Sequence, residues 1–78
     1  MPPYDIYGLD EYRTVKCVFK NYSDEQFICY TVGETRMLLG KESKVSAICV
    51  FDGFCDVEFE NGNMVRLYNV DEIYYERN

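Results

Sequence analysis

Val45-Ser46-Ala47-Ile48-Cys49-Val50-Phe51-Asp52-Gly53-Phe54-Cys55-Asp56-Val57-Glu58-Phe59-Glu60-Asn61-Gly62-Asn63 decides the fold. Within it Cys55, Val57 and Phe59 alternate with Asp56, Glu58 and Glu60. A period of two is the signature of a strand with one apolar and one polar face. Residues 45–51 read as a second strand, rich in β-branched and aromatic side chains. Asp52-Gly53 joins the two as a hairpin turn of the primed type, and Asn61-Gly62 is a second such turn, leading into a strand over 63–68. Two short hairpins in succession make a meander, so this part of the chain is an antiparallel sheet.

Outward from that stretch the pattern continues. Over 13–20, Val15, Cys17 and Phe19 share one face while Lys16 and Lys20 take the other, which predicts a strand. Asn21-Tyr22-Ser23-Asp24 is turn chemistry. Residues 26–32 are apolar on both faces, Phe27 and Cys29 on one and Ile28, Tyr30 and Val32 on the other, as expected of a central strand. Gly33-Glu34 marks a bulge or bend before the chain runs on extended over 35–39. Residues 40–44 read as a polar loop, 69–72 as a single helical turn, and 73–76 as a short last strand. At the start, Pro2-Pro3 forbids an early helix and Gly8 breaks the segment again. An extended arm over 1–12, with a short helical turn at 9–12, is expected to lay Tyr4, Ile6 and Tyr7 on the body. The whole is one all-β domain, 1–78, with the arm at 1–12 and the body at 13–76. Five or six short antiparallel strands with few residues to spare favour a strongly bent sheet closing into a small barrel.

Size bounds what such a body can do. A chain of 78 residues buries only about 60% of its unfolded surface, so a groove or a flat face is more affordable than a deep pocket. Aromatic residues make up 17% of the chain and Tyr supplies 8 of them, a side chain suited to half-buried strand positions and to binding faces. The net charge of −6 is uneven: residues 1–44 hold seven acids and six bases, and residues 45–78 hold seven acids against Arg66 and Arg77. An acidic surface argues against gripping nucleic acid by its phosphates and for a basic protein partner.

Chemistry is hard to build from this inventory. With no His there is no Ser-His or Cys-His pair, and no glycine-rich phosphate loop is present. Asp24-Glu25 and Asp71-Glu72 are neighbours in sequence, so their side chains point apart and make a poor acid–base pair. The four cysteines, Cys17, Cys29, Cys49 and Cys55, lack metal-site spacing and read as free thiols of a reducing cytoplasm. No enzyme activity, cofactor or metal is expected. No apolar run is long enough to span a membrane, and Met1-Pro2-Pro3-Tyr4-Asp5 is neither basic nor apolar, unlike a secretory leader.

The run from Val45 to Asn63, with Val65–Tyr68 and Ile73-Tyr74 behind it, resembles small barrels of the Tudor and SH3-like class. The resemblance covers residues 45–78 and implies an adaptor-type binding fold. In Tudor domains an aromatic cage often holds a cationic side chain. Phe51, Phe54, Tyr68 and Tyr74 are the rings here that could supply walls, with Asp52 or Asp71 as the anion. The Asp-Tyr-Gly-Asn signature of that family is Glu60-Asn61-Gly62-Asn63 here, so its cage tyrosine is missing.

Two functional readings follow. In the first, Asp56, Glu58 and Glu60 form an outward acidic row repeating every ~6.6 Å, close to the spacing of phosphates along a nucleic acid. Together with Tyr68, Asp71, Glu72, Tyr74 and Tyr75 it would bind and regulate or inhibit a basic, nucleic-acid-binding host protein. In composition the chain resembles the small host-inhibitor proteins that bacteriophages encode. In the second, a groove of Phe51, Phe54 and Tyr68 takes a peptide or a cationic side chain. A nucleic-acid site on Lys16 and Lys20 stands well behind both. An exposed edge strand also offers a route to a homodimer.

Overall fold

The computed structural model describes residues 11–21 and 25–78. Seven antiparallel strands run through them: β1 (Tyr12–Asn21), β2 (Gln26–Thr31), β3 (Thr35–Leu38), β4 (Lys41–Phe51), β5 (Phe54–Phe59), β6 (Met64–Leu67) and β7 (Val70–Arg77). Hydrogen bonding orders them as β2-β1-β7 and β3-β4-β5-β6. The protein is all-β, a strongly curled antiparallel sheet that forms a half-barrel. The expected arm lies outside the described residues except at its end, where Tyr12 already belongs to β1, and residues 22–24 of the expected turn lie outside as well.

One bent strand makes the curl. After β2, the Val32 amide still donates to the Val15 carbonyl of β1 (2.8 Å), while the Gly33 amide donates to Val45 of β4 (2.9 Å) and the Val45 amide to Glu34 (2.9 Å). The chain therefore leaves one ladder and joins the next within two residues. Gly33 takes φ +93°, a conformation that side chains disfavour. Glu34 and Arg36 clamp the corner. The Glu34 carboxylate accepts the Thr31 amide (2.8 Å), and the Arg36 guanidinium donates to Glu34 (2.8 Å) and to the Cys29 carbonyl (2.6 Å).

Inside the curl lie Cys17, Val45, Ile48, Val50, Cys55, Val57, Phe59 and Leu67, with Phe19, Tyr30, Val32, Leu38, Val65, Val70 and Ile73 packed around them. Tyr30 ties the halves together, stacked on Phe19 at 6.0 Å and edge-on to Phe59 at 6.3 Å. All four cysteines are free thiols. The hydrogen bond with Cys17, and then burial, hold the Cys55 thiol well above the ordinary range.

Three local readings are corrected. Residues 41–44 begin β4 rather than forming a loop, and the turn before them is Leu39-Gly40, between paired Leu38 and Lys41. Both turn residues have positive φ (52° and 78°), so the primed hairpin turn is here. At Asp52-Gly53 only Gly53 has positive φ (89°), the pattern of an unprimed type II turn. Residues 70–72 are strand and not a helical turn: β7 pairs Val70 with Phe19 and Glu72 with Val18, leaving Asp71 as a bulge without a partner.

Candidate functional site

At one end of the half-barrel a cavity of about 320 Å³ opens. Its floor is core: Val50, Cys55, Val70 and Ile73. Its rim is Phe51, Gly53, Phe54, Tyr68 and Asp71. Each rim group has a local cause. The tight Asp52-Gly53 turn sets Phe51 directly opposite Phe54, and their rings stack at 5.0 Å. Tyr68 follows the last residue of β6 and brings its ring to 6.3 Å from Phe54. The bulge in β7 presents Asp71, which a regular ladder would have paired. The three rings of the expected groove are therefore brought together, with one of the expected anions beside them.

Arg66 organises this wall and was not singled out from sequence. It faces Asp56 across β5 and β6 and donates two hydrogen bonds to that carboxylate, from Nε at 2.7 Å and Nη2 at 3.0 Å. Its guanidinium also lies 4.2 Å from the centre of the Phe54 ring. With Phe51 on Phe54 as well, the ring faces left to receive a further cation are those of Phe51 and Tyr68, the latter with its hydroxyl also beside Arg66. The bond to Asp56 raises the Arg66 pKa further above its already high ordinary value, so the cation is permanent.

The length of the hairpin turn decides this pair. A two-residue turn at Asn61-Gly62 would set Arg66 opposite Val57, on the core side. Instead the Gly62 amide donates to Phe59 (3.0 Å) and the Phe59 amide to Asn63 (2.9 Å), and only Gly62 among the turn residues has positive φ (90°). This is a longer turn with a glycine bulge. The extra residue shifts the register by one and puts Arg66 on the outer face, over Asp56.

The acidic row is corrected accordingly. Asp56 is only 6% exposed, and its charge is answered by Arg66, so it does not stand outward with Glu58 and Glu60. Glu58 is exposed and accepts a bond from the Cys49 thiol (3.4 Å). Burial first, and then Glu58, push that thiol up to about 11. Glu60 is exposed but lies at the far end of β5, in a separate depression with Thr35, Glu42, Ser43, Lys44 and Asn61. Glu72, Tyr74 and Tyr75 are exposed on β7, where the Tyr74 hydroxyl donates to Glu72 and the Lys16 ammonium lies 5.1 Å from the Tyr74 ring. Lys20 sits 5.9 Å from the ring of Phe27. The residues of the first reading therefore fall in separate places: Tyr68 and Asp71 line the cavity, Glu72 and Tyr74 are bonded to each other on β7, and Glu60 lies in its own depression.

Among the described residues no cluster of His, Cys, Asp and Glu could hold a metal ion. No helix among them is long and apolar enough to cross a membrane. A half-barrel with an aromatic, acid-flanked mouth is the architecture in hand. No protein family, curated protein or solved structure matches the chain.

Proposed function

We propose that this chain is a non-enzymatic protein-binding module that takes a basic segment of a partner protein. A cationic side chain of that segment sits between Phe51 and Tyr68, with Asp71 facing its charge. One observation carries the reading: Phe51, Phe54, Tyr68 and Asp71 converge on a single open cavity in a chain of net charge −6. Ring faces attract cations, and a carboxylate at the rim adds direction to that attraction. The Arg66 guanidinium against Phe54 is an intramolecular instance of the same contact. Such a module regulates or blocks whatever function its partner's basic segment serves.

An array of basic peptides tests this, read with wild type, Tyr68→Ala and Asp71→Asn. Tyr68 is 67% exposed, so its loss leaves the core intact. Removing a central aromatic anchor is expected to weaken binding about ten- to thirtyfold. Raising the salt concentration should weaken it further. Hits that ignore both substitutions would overturn the proposal.

A further inference from the structure

The curled sheet has two ends, and they lie next to each other in the chain. Because the bent segment through Gly33 joins both ladders, the strands run β7-β1-β2/β3-β4-β5-β6 as one continuous order. Its terminal strands, β6 and β7, are linked only by Tyr68-Asn69, and among the described residues no ladder joins them. The seam opens at the cavity, whose wall on this side is Val70, Asp71 and Ile73 of β7. Among the described residues, the eight of β7 thus present an outer edge with no ladder beyond it. Such an edge is a template for another strand.

Charge selects the occupant. Asp71, at the bulge, Glu72 and Glu76 are exposed on β7 against one cation of that strand, Arg77; Glu76 shares its charge with Arg13 of β1 (3.2 Å), and Glu72 accepts the Tyr74 hydroxyl. A second copy on this edge would bring together two strands that each carry Asp71, Glu72 and Glu76 against Arg77 alone, and like charge opposes that approach. A basic strand meets the reverse situation. On the inner side, Val70 and Ile73 pack against the core and offer apolar neighbours to every other residue of an added strand.

We infer that the free edge of β7 accepts an extended partner segment of alternating basic and apolar residues as an added strand, closing the seam between β7 and β6. Main-chain bonds to β7 hold the segment. Its apolar residues turn inward over Val70 and Ile73, its basic residues turn outward beside Glu72 and Glu76, and its end delivers a cation to the mouth. This is strand addition to a sheet edge. The inference rests on the proposed basic-segment function and adds how the segment is held.

Six-residue peptides alternating Lys with Val, and Arg with Val, serve as probes. Each is compared with a version methylated on consecutive backbone nitrogens, which keeps every side chain and charge but blocks main-chain pairing along both edges. Affinity is measured by calorimetry and amide hydrogen exchange by NMR on the full chain. The unmethylated peptides are expected to slow exchange at alternate β7 amides and to bind about tenfold or more tighter than the methylated ones. Equal binding of both versions, with shifts confined to Phe51 and Tyr68, would overturn the strand-addition inference and leave the groove reading standing. Failure of both versions to bind would remove both readings. β7 amides protected without peptide, in a way that grows with protein concentration, would show a second copy on the edge and overturn the inference.

Discussion

Val57 and Glu58 are neighbours on β5, yet the structure gives them opposite roles, and replacing each with Ala measures the difference. Val57 is 0% exposed at the centre of the core, paired with Ile48 and Val65 on its flanking strands. Truncation to Ala removes two methyl groups, worth about 1.6 kcal/mol of transfer free energy at ~0.8 kcal/mol each. Its fully enclosed site collapses only in part. A residual cavity of roughly 25–50 Å³ at ~24 cal/mol per Å³ adds about 0.6–1.2 kcal/mol. The expected loss is about 2–3 kcal/mol, or roughly 8–24 °C in melting temperature for a domain of this size. Glu58 is exposed and its side chain bonds the Cys49 thiol, so Glu58→Ala should stay within about 0.5 kcal/mol of wild type. Urea unfolding followed by circular dichroism, with slopes compared between variants, gives both numbers. Equal losses from the two substitutions would refute the two-faced ribbon on which the mouth and the seam both depend.

The other expectations are smaller. Leu39 holds φ +52° while 88% exposed, so Leu39→Asn should stabilise the hairpin by about 0.5–1 kcal/mol, because Asn tolerates this conformation and no buried surface is lost; a loss in urea unfolding would show that the Leu39 side chain makes a contact worth more than the strain. Gly62→Ala, at φ +90° with open space where the Cβ would stand, should cost about 1–2 kcal/mol through backbone strain alone, read by the same unfolding. Cys49 should alkylate slowly at neutral pH, with the rate rising toward pH 11, and Glu58→Gln should bring that rise to lower pH. Because this pKa lies above the ordinary 9.0, the unfolded chain loses its proton first as pH rises, so the thiol's contribution to stability is complete below pH 9 and is lost by about pH 11. Urea unfolding across that pH window should show the fall, and Cys49→Ala should lessen it.

What could be read from the sequence follows the regularity of the local pattern. Cys55, Val57 and Phe59 alternate without interruption and point inward as expected. The Phe51 and Phe54 part of the groove was legible because a tight turn sets those positions opposite each other, whereas Tyr68 reaches Phe54 through the same register that places Arg66 over Asp56. Residues 69–72 read as a helical turn for a physical reason. The bulge at Asp71 puts Val70 and Ile73, three apart, on one face, and a spacing of three is also helical. Residues 40–44 read as a loop because Lys41, Glu42 and Lys44 are polar, yet only Ser43 and Val45 need to face inward there. The pairing of Asp56 with Arg66 depended on one residue of turn length, which hydrophobic pattern alone does not report.

The ladder between β1 and β7 joins the first described strand to the last. During synthesis β1 must therefore wait for its second neighbour until the ribosome has released the chain through Arg77. Until then Cys17 and Phe19 lack Ile73 and Val70 beside them, and the nascent half-barrel shows an apolar flank to its surroundings. Truncation within β7 should accordingly do more harm than its exposed side chains suggest, because it would leave that flank permanently unsheltered.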